Sequence, residues 1–212
     1  MHVLIVANGA PADLPAQKWV PQADLVIAAD GGAANAGRLG LRPSVIIGDM
    51  DSIAPADRAE LEVAGVQFVR YPTNKDATDL ELALRYAVEQ GAQAITLVGA
   101  MGGRPDQMLA NVFLLTLPFL DGVAVNLRSN GWEAFCVRSA VQFGGQPGDV
   151  VSLLPLTPEV VGVKTAGLFW ALDDATLRFG STLGISNEMT GAEAHVVIRE
   201  GVLLVVHRVL AG

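Results

Sequence analysis

Hydrophobic and polar positions follow a repeating order through the first half of the chain. Short apolar runs end in clusters of Gly, Asn or Asp, and a helical pattern follows most of these clusters. The runs occupy residues 3–7, 25–29, 45–47, 66–69 and 95–98. Near-continuous apolar strands that alternate with helices predict a parallel sheet covered on both faces. Because ligands bind at the carboxyl ends of the strands in such sheets, we expect the polar clusters to line one crevice.

The pattern changes after residue 120, where helical spacing fades and short strands alternate with turn signals. Residues 195–198 and 202–206 flank a Glu-Gly turn signal and predict a hairpin. Several short strands at this spacing predict a sandwich or a barrel. We therefore predict the α/β class, with a doubly wound parallel-sheet domain over residues 1–122 and an all-β, sandwich-like domain over residues 123–212.

Composition narrows the class of protein. A chain of 212 residues is long enough to bury a core, and its net charge of −8 argues against nucleic acid as a partner. No apolar run reaches the length of a membrane span, and the first residues predict a strand rather than a signal peptide. The single cysteine, Cys136, excludes an internal disulfide and suits a reducing compartment. We expect a cytoplasmic protein that binds neither nucleic acid nor membranes.

Two carboxylates, Asp49 and Asp51, follow the third apolar run directly after Gly48. In an extended chain, residues i and i+2 point to the same side, so the two carboxylates converge. Mg²⁺ is commonly held by one or two carboxylates together with substrate phosphates, which makes this pair a candidate metal site. A solvated turn at the end of a strand explains the same residues, and the sequence leaves that alternative open.

A second acidic pair, Asp76 and Asp79, lies at the predicted start of a helix. Thr78 and Glu81 have the spacing of a capping box, which places the first turn near Thr78. Helix capping and the helix dipole alone favour acidic residues here, so this pair does not require a metal. Lys75 beside it could meet a phosphate or neutralise the acidic pair.

The fifth polar cluster is a glycine-rich loop that ends in a cation. Gly102 and Gly103 let the backbone approach a phosphate, and Arg104 suits a bidentate contact with phosphate oxygens. The loop has neither the Lys-Ser/Thr of a Walker A motif nor the glycine spacing of a dinucleotide fingerprint. Pro105 suits the first turn of a following helix. The predicted inward face of that helix comprises Met108, Leu109, Val112 and Phe113.

Three of these segments resemble, in order, the motifs of the thiamin pyrophosphokinase family. They read Gly-Asp-Met-Asp-Ser at residues 48–52, Lys-Asp-Ala-Thr-Asp-Leu-Glu-Leu-Ala at 75–83 and Gly-Gly-Arg-Pro-Asp-Gln at 102–107. Asp-Gly-Gly-Ala at residues 30–33 and Gly-Ile-Ser-Asn-Glu at 184–188 resemble two further motifs. The resemblance runs nearly the whole chain. It departs from many bacterial members at Gln107, where those members carry histidine.

The resemblance implies transfer of the pyrophosphoryl group of ATP to the hydroxyethyl oxygen of thiamine, giving thiamine diphosphate and AMP. It implies a catalytic Mg²⁺ site made of Asp49, Asp51, Asp76 and Asp79. It assigns ATP binding to Asp30, Gly31, Gly32, Lys75, Gly102, Gly103, Arg104, Asp106 and Gln107. It assigns thiamine binding to Trp170, Ser186 and Asn187. The first domain would then be catalytic, and the second would bind thiamine and form a homodimer with shared active sites.

Alternatives remain open for one residue and for the reaction. Strand alternation places Trp170 beside Leu168 and Leu172 and away from Phe169, so Trp170 is either a core residue or an aromatic platform for the thiamine cation. The same carboxylates would also serve a related diphosphokinase, for example one that acts on a pterin, or a phosphohydrolase. A non-catalytic module that senses nucleotides is a further alternative.

Overall fold

The computed structural model describes residues 1–51, 53–72, 74 and 76–209, and these fall into two compact units. The first unit is Met1–Asn130 and the second is Gly131–Gly212. None of the helices in the described part of the chain combines the length and the hydrophobicity that a membrane crossing requires.

A parallel sheet forms the centre of the first unit, as the apolar runs predict. Its strands are β1 (His2–Val6), β2 (Leu25–Ala29), β3 (Val45–Gly48), β4 (Gln67–Arg70), β5 (Ala94–Val98) and β6 (Ala124–Ser129). They lie in the order β6-β5-β1-β2-β3-β4, and each neighbouring pair is parallel. The central strands are buried along most of their length, which explains their near-continuous apolar sequences.

Helices connect these strands. They are α1 (Gly32–Arg38), α2 (Pro55–Val63), α3 (Asp79–Glu89) and α4 (Pro105–Leu114). The predicted start of α3 is confirmed, because the Thr78 hydroxyl accepts a hydrogen bond from the backbone N–H of Glu81 at 3.2 Å. The Glu81 carboxylate accepts hydrogen bonds from Arg85, one turn later. Helix α3 therefore begins at Asp79, directly after its N-cap Thr78.

The predicted inward face of α4 is wrong in part. Leu109 and Phe113 are each 52% exposed. The half-buried side of α4 includes Met108, Asn111 and Val112, and the Asn111 amide donates to the carbonyl oxygen of Ala100 at 2.9 Å. The half-buried side of α4 thus carries a polar residue with a tertiary hydrogen bond, which apolar spacing does not identify.

Two antiparallel sheets make up the second unit. Their strands are β7 (Trp132–Val137), β8 (Ala140–Gly144), β9 (Val150–Pro155), β10 (Glu159–Ala166), β11 (Ala175–Arg178), β12 (Asn187–Glu188), β13 (Glu193–Val197) and β14 (Leu203–Arg208). One sheet has the order β12-β9-β14-β7 and the other β11-β10-β13-β8. Residues of both sheets share one hydrophobic core, so the predicted sandwich is confirmed.

The structure departs from the sequence-based organisation in two places. Strand β6 pairs in parallel with β5, so it belongs to the first unit, which extends to Asn130 rather than ending near residue 122. The predicted hairpin of residues 195–206 is wrong. Strand β13 pairs with β8 and β10, whereas β14 pairs with β7 and β9 in the other sheet. The Glu200–Gly201 turn signal therefore marks a crossing between sheets.

Candidate active site

Three carboxylates converge at the carboxyl ends of β2 and β3. One oxygen of each of Asp30, Asp49 and Asp51 lies within 4.8 Å of the others, and among the described residues this is the acidic group that could hold a metal ion. Asp30 is buried, Asp49 is partly buried and Asp51 is exposed, so the group opens toward solvent. Three hard oxygen donors at this spacing fit Mg²⁺, which retains room for water and phosphate ligands.

A tight turn, rather than an extended strand, brings Asp49 and Asp51 together. Met50 between them has a φ of 69°, and its buried side chain packs with Ala28 and Ile46. The backbone N–H of Asp51 donates to Oδ1 of Asp49 at 3.2 Å. The predicted convergence therefore arises from a left-handed residue whose side chain is anchored in the core.

Gly48 leaves space for two acidic side chains. A Cβ atom at this position would lie 2.9 Å from Cβ of Asp30 and 3.2 Å from Oδ1 of Asp79. Asp30 itself has a φ of 44°, a conformation that aspartate tolerates better than most residues. Asp79 is the first residue of α3. The end of β3, the turn after β2 and the start of α3 thus meet at this glycine.

The remaining predicted members of the acidic site lie differently. Asp76 is exposed in the loop that precedes α3, and it is not one of the three converging carboxylates. Lys75 and Ser52 lie outside the described residues. The structure thus brings Asp30 into the acidic group, whereas the sequence had assigned it to ATP binding.

A cleft of about 450 Å³ lies beside the acidic group, at the carboxyl ends of β1, β2 and β5. Asp30 belongs to both the cleft and the acidic group, and Asp79 also lines the cleft. The cleft's other lining residues are Ala7, Asn8, Gly9, Ala10, Ala29, Thr78, Leu80, Gly99, Ala100, Gly102, Gly103, Arg104, Gln107, Ala110 and Asn111. The polar clusters after three strands therefore share one crevice, as expected from the parallel sheet.

A buried asparagine fixes one wall of the cleft. Asn35 of α1 is 1% exposed and donates to the carbonyl oxygens of Ala7 and Gly9, both at 2.9 Å. A Cβ atom at Gly32 would overlap the carbonyl oxygen of Val6, so glycine permits this close approach of α1 to β1. Asn35 was not among the site residues predicted from sequence, although a polar residue on the buried side of a short helix is a usable signal.

The predicted ATP-binding glycines fall into two groups. Gly102 and Gly103 line the cleft. Gly31 and Gly32 lie at the start of α1, where an added Cβ atom at Gly31 would contact the Asn8 side chain. Gly31 and Gly32 thus allow α1 to pack closely against the wall of the cleft.

Arg104 and Asp106 form an exposed ion pair beside the cleft. The guanidinium donates to the carboxylate from Nη2 at 2.6 Å and from Nε at 3.2 Å. This hydrogen bond is the main reason that the pKa of Asp106 is lowered and that of Arg104 is raised. Arg104 and Gln107 line the cleft, so Asp106 orients the cation while leaving it accessible to an anion.

The predicted thiamine-binding residues lie together in the second unit. Trp170 is 56% exposed, which contradicts the alternative that it is a core residue. Its ring contacts that of Phe169 edge to face, with a centroid distance of 4.9 Å. Strand alternation predicted the opposite, and it fails because β10 ends at Ala166.

Asn187 is in contact with this tryptophan, and Ser186 precedes Asn187 in the chain. Ser186 is exposed with a φ of 59°. The side chain of Asn187 forms hydrogen bonds with the backbone of Trp170. The structure thus brings Trp170 and Asn187 into direct contact, while the backbone N–H of Ser186 donates to the Ser152 hydroxyl at 3.1 Å.

An acidic group that could hold a metal ion, placed beside a glycine-lined cleft, is typical of enzymes that transfer phosphoryl groups from a nucleotide. Residues 16–126 match the family described as thiamin pyrophosphokinase, catalytic domain, and residues 140–203 match thiamin pyrophosphokinase, vitamin B1 binding domain. The chain belongs to the thiamin pyrophosphokinase family.

Relatives of similar length support this membership. A thiamine pyrophosphokinase of Bacillus subtilis is 28% identical over 210 residues, which cover 97% of this chain and 98% of the relative. The crystal structure of thiamine pyrophosphokinase from Bacillus subtilis matches with a TM-score of 0.89 at 25% identity, covering 100% of both chains. That of thiamin pyrophosphokinase from Geobacillus thermodenitrificans matches with a TM-score of 0.86 at 28% identity, covering 100% of this chain and 99% of the other.

Proposed function

We propose that this protein transfers the pyrophosphoryl group of ATP to the hydroxyethyl oxygen of thiamine, which yields thiamine diphosphate and AMP. One observation carries the proposal within the first unit: Asp30 belongs both to the three-carboxylate group and to the cleft. A triphosphate in the cleft would therefore lie next to a metal held by these carboxylates. Membership of the family supplies the identity of the acceptor.

The residues of the cleft suit a reaction that depends on positioning and charge neutralisation. Asp30, Asp49 and Asp51 would hold Mg²⁺, with Asp79 at the edge of the group. When bound, the ion neutralises charge on the phosphate oxygens and orients the triphosphate. Arg104 supplies a second positive charge, and Gly102 at the start of the same segment lets the backbone lie close to a phosphate.

Product analysis tests the reaction. Incubation with ATP, Mg²⁺ and thiamine should give AMP and thiamine diphosphate in equal amounts, because the acceptor oxygen attacks the β-phosphorus. Formation of ADP and thiamine monophosphate would identify a simple kinase instead. In a parallel incubation with a pterin in place of thiamine, a pterin diphosphate would indicate the related diphosphokinase. Release of free phosphate would indicate a hydrolase, and ATP binding without turnover would indicate a nucleotide sensor.

We also propose that the protein is a homodimer with shared active sites, as its family resemblance implies. Light scattering should then give twice the 22.1 kDa mass of the chain.

The proposed location is the cytoplasm, where Cys136 would stay reduced. Burial is the main reason that the pKa of this thiol is raised to about 11, so it is a poor nucleophile.

Trp170 is proposed to stack on the thiamine cation, and its removal should weaken thiamine binding selectively. A desolvated cation–π contact contributes about 2 kcal/mol, so Trp170→Ala should raise the thiamine dissociation constant roughly thirtyfold. ATP binding should be nearly unchanged. Because the side chain is half exposed, the melting temperature should also change little. Calorimetric titrations of the two substrates measure these effects.

Two variants serve as controls for Trp170. Trp170→Phe should recover part of the affinity, since a smaller ring still presents a π face. Trp132→Ala removes another exposed tryptophan of the same unit, one that packs against Arg208, and should leave thiamine affinity unchanged. Equal losses of affinity for thiamine and ATP in Trp170→Ala would contradict the stacking role.

A further inference from the structure

The side chain of Asn187 is engaged by the backbone of another segment. Its Oδ1 accepts hydrogen bonds from the backbone N–H of Trp170 at 3.0 Å and from its neighbour Glu188 at 2.9 Å. Its Nδ2 donates to the carbonyl oxygen of Trp170 at 2.7 Å. Both polar groups of the Trp170 backbone are thus bound by one amide.

The burial of Asn187 matches this arrangement. The residue is only 6% exposed, whereas Trp170 and Phe169 beside it are more than half exposed. The side chain amide therefore faces the protein, and the tryptophan ring faces outward.

Trp170 lies in an irregular segment that is held on one side by the buried Leu168 and on the other by the hydrogen bonds between Leu172 and Thr165. Strand β10 ends at Ala166, and the segment then follows the 187–190 region through the Leu168–Met189 bridge and the Phe169 N–H, which donates to the Glu188 carbonyl oxygen at 2.9 Å. At Trp170 itself, this backbone pairing is continued by the Asn187 side chain. The amide takes the place of the backbone of a neighbouring strand. It therefore fixes the backbone conformation from which the Trp170 side chain projects.

The segment that carries Asn187 is anchored in the core. The backbone N–H of Met189 donates to the carbonyl oxygen of Asp149 at 2.8 Å, and the N–H of Gly148 donates to the Met189 carbonyl oxygen at 2.9 Å. Met189 is 2% exposed and belongs to the hydrophobic core of the sandwich. Asn187 therefore projects from a firmly held segment onto the backbone of Trp170, whose N–H and carbonyl groups both bind its amide.

We infer that Asn187 is a positioning residue, which holds Trp170 in the orientation that receives thiamine and makes no contact with thiamine itself. This inference rests on the proposed function, because it explains how Trp170, the proposed stacking partner of thiamine, is kept in one orientation. It revises the role that the sequence motif gave to Asn187, from a ligand contact to a backbone clamp. The affinity gained from a stacking ring depends on its being ordered before the ligand binds.

A double-mutant cycle with Trp170 separates a clamp from a direct contact. Asn187→Ala should raise the thiamine dissociation constant about tenfold, less than Trp170→Ala, since the ring remains but is disordered. In the Trp170→Ala background the same substitution should change thiamine affinity less than about twofold, because no ring is left to position. Equal factors in both backgrounds would show that Asn187 contacts thiamine and would overturn the inference. ATP affinity serves as the internal control.

A second variant covers the case in which Asn187→Ala does not fold. Asn187→Asp keeps an acceptor for the N–H groups of Trp170 and Glu188 but removes the donor to the Trp170 carbonyl oxygen. It should fold, bind thiamine more weakly and bind ATP normally, again with no added effect in the Trp170→Ala background. Wild-type thiamine affinity in this variant would count against the clamp.

Fluorescence tests the clamp without any substrate, so its failure is distinguishable from failure of the proposed function. The chain has three tryptophans, and a Trp19→Phe, Trp132→Phe background leaves Trp170 as the only reporter. In the ligand-free protein, Asn187→Asp or Asn187→Ala should lower the anisotropy of Trp170 and raise its quenching by acrylamide. Unchanged anisotropy would overturn the inference even in an active enzyme. Lower anisotropy in a protein that does not use thiamine would uphold the clamp and reject the function.

Discussion

Replacement of either Asp49 or Asp51 by asparagine should lower the rate of thiamine diphosphate formation roughly a hundredfold, because loss of a group that stabilises transferring charge costs about 3 kcal/mol. Asparagine keeps an oxygen at Oδ1, so Asp49→Asn can still accept the backbone N–H of Asp51 and preserve the turn. The loss should therefore reflect the missing charge and not a rearranged backbone. Steady-state rates at saturating ATP and Mg²⁺ measure it.

Stability and metal binding give independent readouts for the same variants. Without metal, both variants should remain folded with a melting temperature close to that of the wild type, because Asp49 and Asp51 lie beyond the end of β3 and neither is fully buried. Titration with Mn²⁺ as a probe should show weaker binding. Glu89→Gln is a matched control, since this exposed carboxylate lies at the opposite end of α3 from Asp79. Near-normal turnover in both Asp49→Asn and Asp51→Asn would remove the pair from the mechanism.

The strands of the first unit and the crevice at their ends were predictable from sequence. Buried parallel strands require apolar residues on both faces, and the polar residues that follow each strand must then meet at one edge. The convergence of Asp49 and Asp51 was also predictable in outcome, although for the wrong reason. The turn depends on a positive φ at Met50, a residue type that gives no sequence signal for that conformation.

Features that depend on tertiary polar contacts were not predictable. Apolar spacing in α4 is compatible with several rotations of the helix, and it contains no information about the bond from Asn111 to the Ala100 carbonyl oxygen on the half-buried side. The exposure of Trp170 depends on the end of β10 at Ala166 and on the hydrogen bonds from Asn187 to its backbone. Strand alternation predicts neither of these features. Asp30 belongs to the acidic group because β2 and β3 are neighbours in the sheet. A local sequence motif does not reveal which strands are neighbours.

A buried histidine joins two carboxylates in the second unit. His207 of β14 is fully buried, with Nδ1 3.1 Å from the carboxylate of Glu133 and Nε2 3.1 Å from that of Asp149. Glu133 lies opposite His207 on the neighbouring strand β7, and Asp149 directly precedes β9 on the other side. The imidazole ring therefore links the strands on both sides of β14. Only the imidazolium donates from both nitrogens. Burial by itself lowers the pKa of His207, but the hydrogen bonds and charges of Glu133 and Asp149 outweigh it and the pKa is raised.

Removal of this histidine should strongly destabilise the protein. His207→Ala leaves Glu133 and the fully buried Asp149 without the cation between them, and breaking a buried ion pair costs about 3–5 kcal/mol. Urea unfolding followed by circular dichroism at pH 6 measures the loss. His195→Ala is the matched control, because His195 is exposed on β13 of the same unit and its replacement should change stability by less than about 0.5 kcal/mol.

The wild-type protein should also lose stability as the pH rises above neutrality, in a way that depends on His207. The histidine has a pKa of about 6.5 in the unfolded chain and a higher one in the folded protein, so the folded state holds the proton more tightly. Its contribution is complete below about pH 6.5 and disappears as the pH passes through the raised folded-state pKa. The free energy of unfolding should therefore fall between pH 6 and pH 9 in the wild type and in His195→Ala, and this decline should be absent from His207→Ala. A stability that stays flat over this range in the wild type would mean that His207 is neutral in the folded protein, and one of its two carboxylate contacts would then lack a donor.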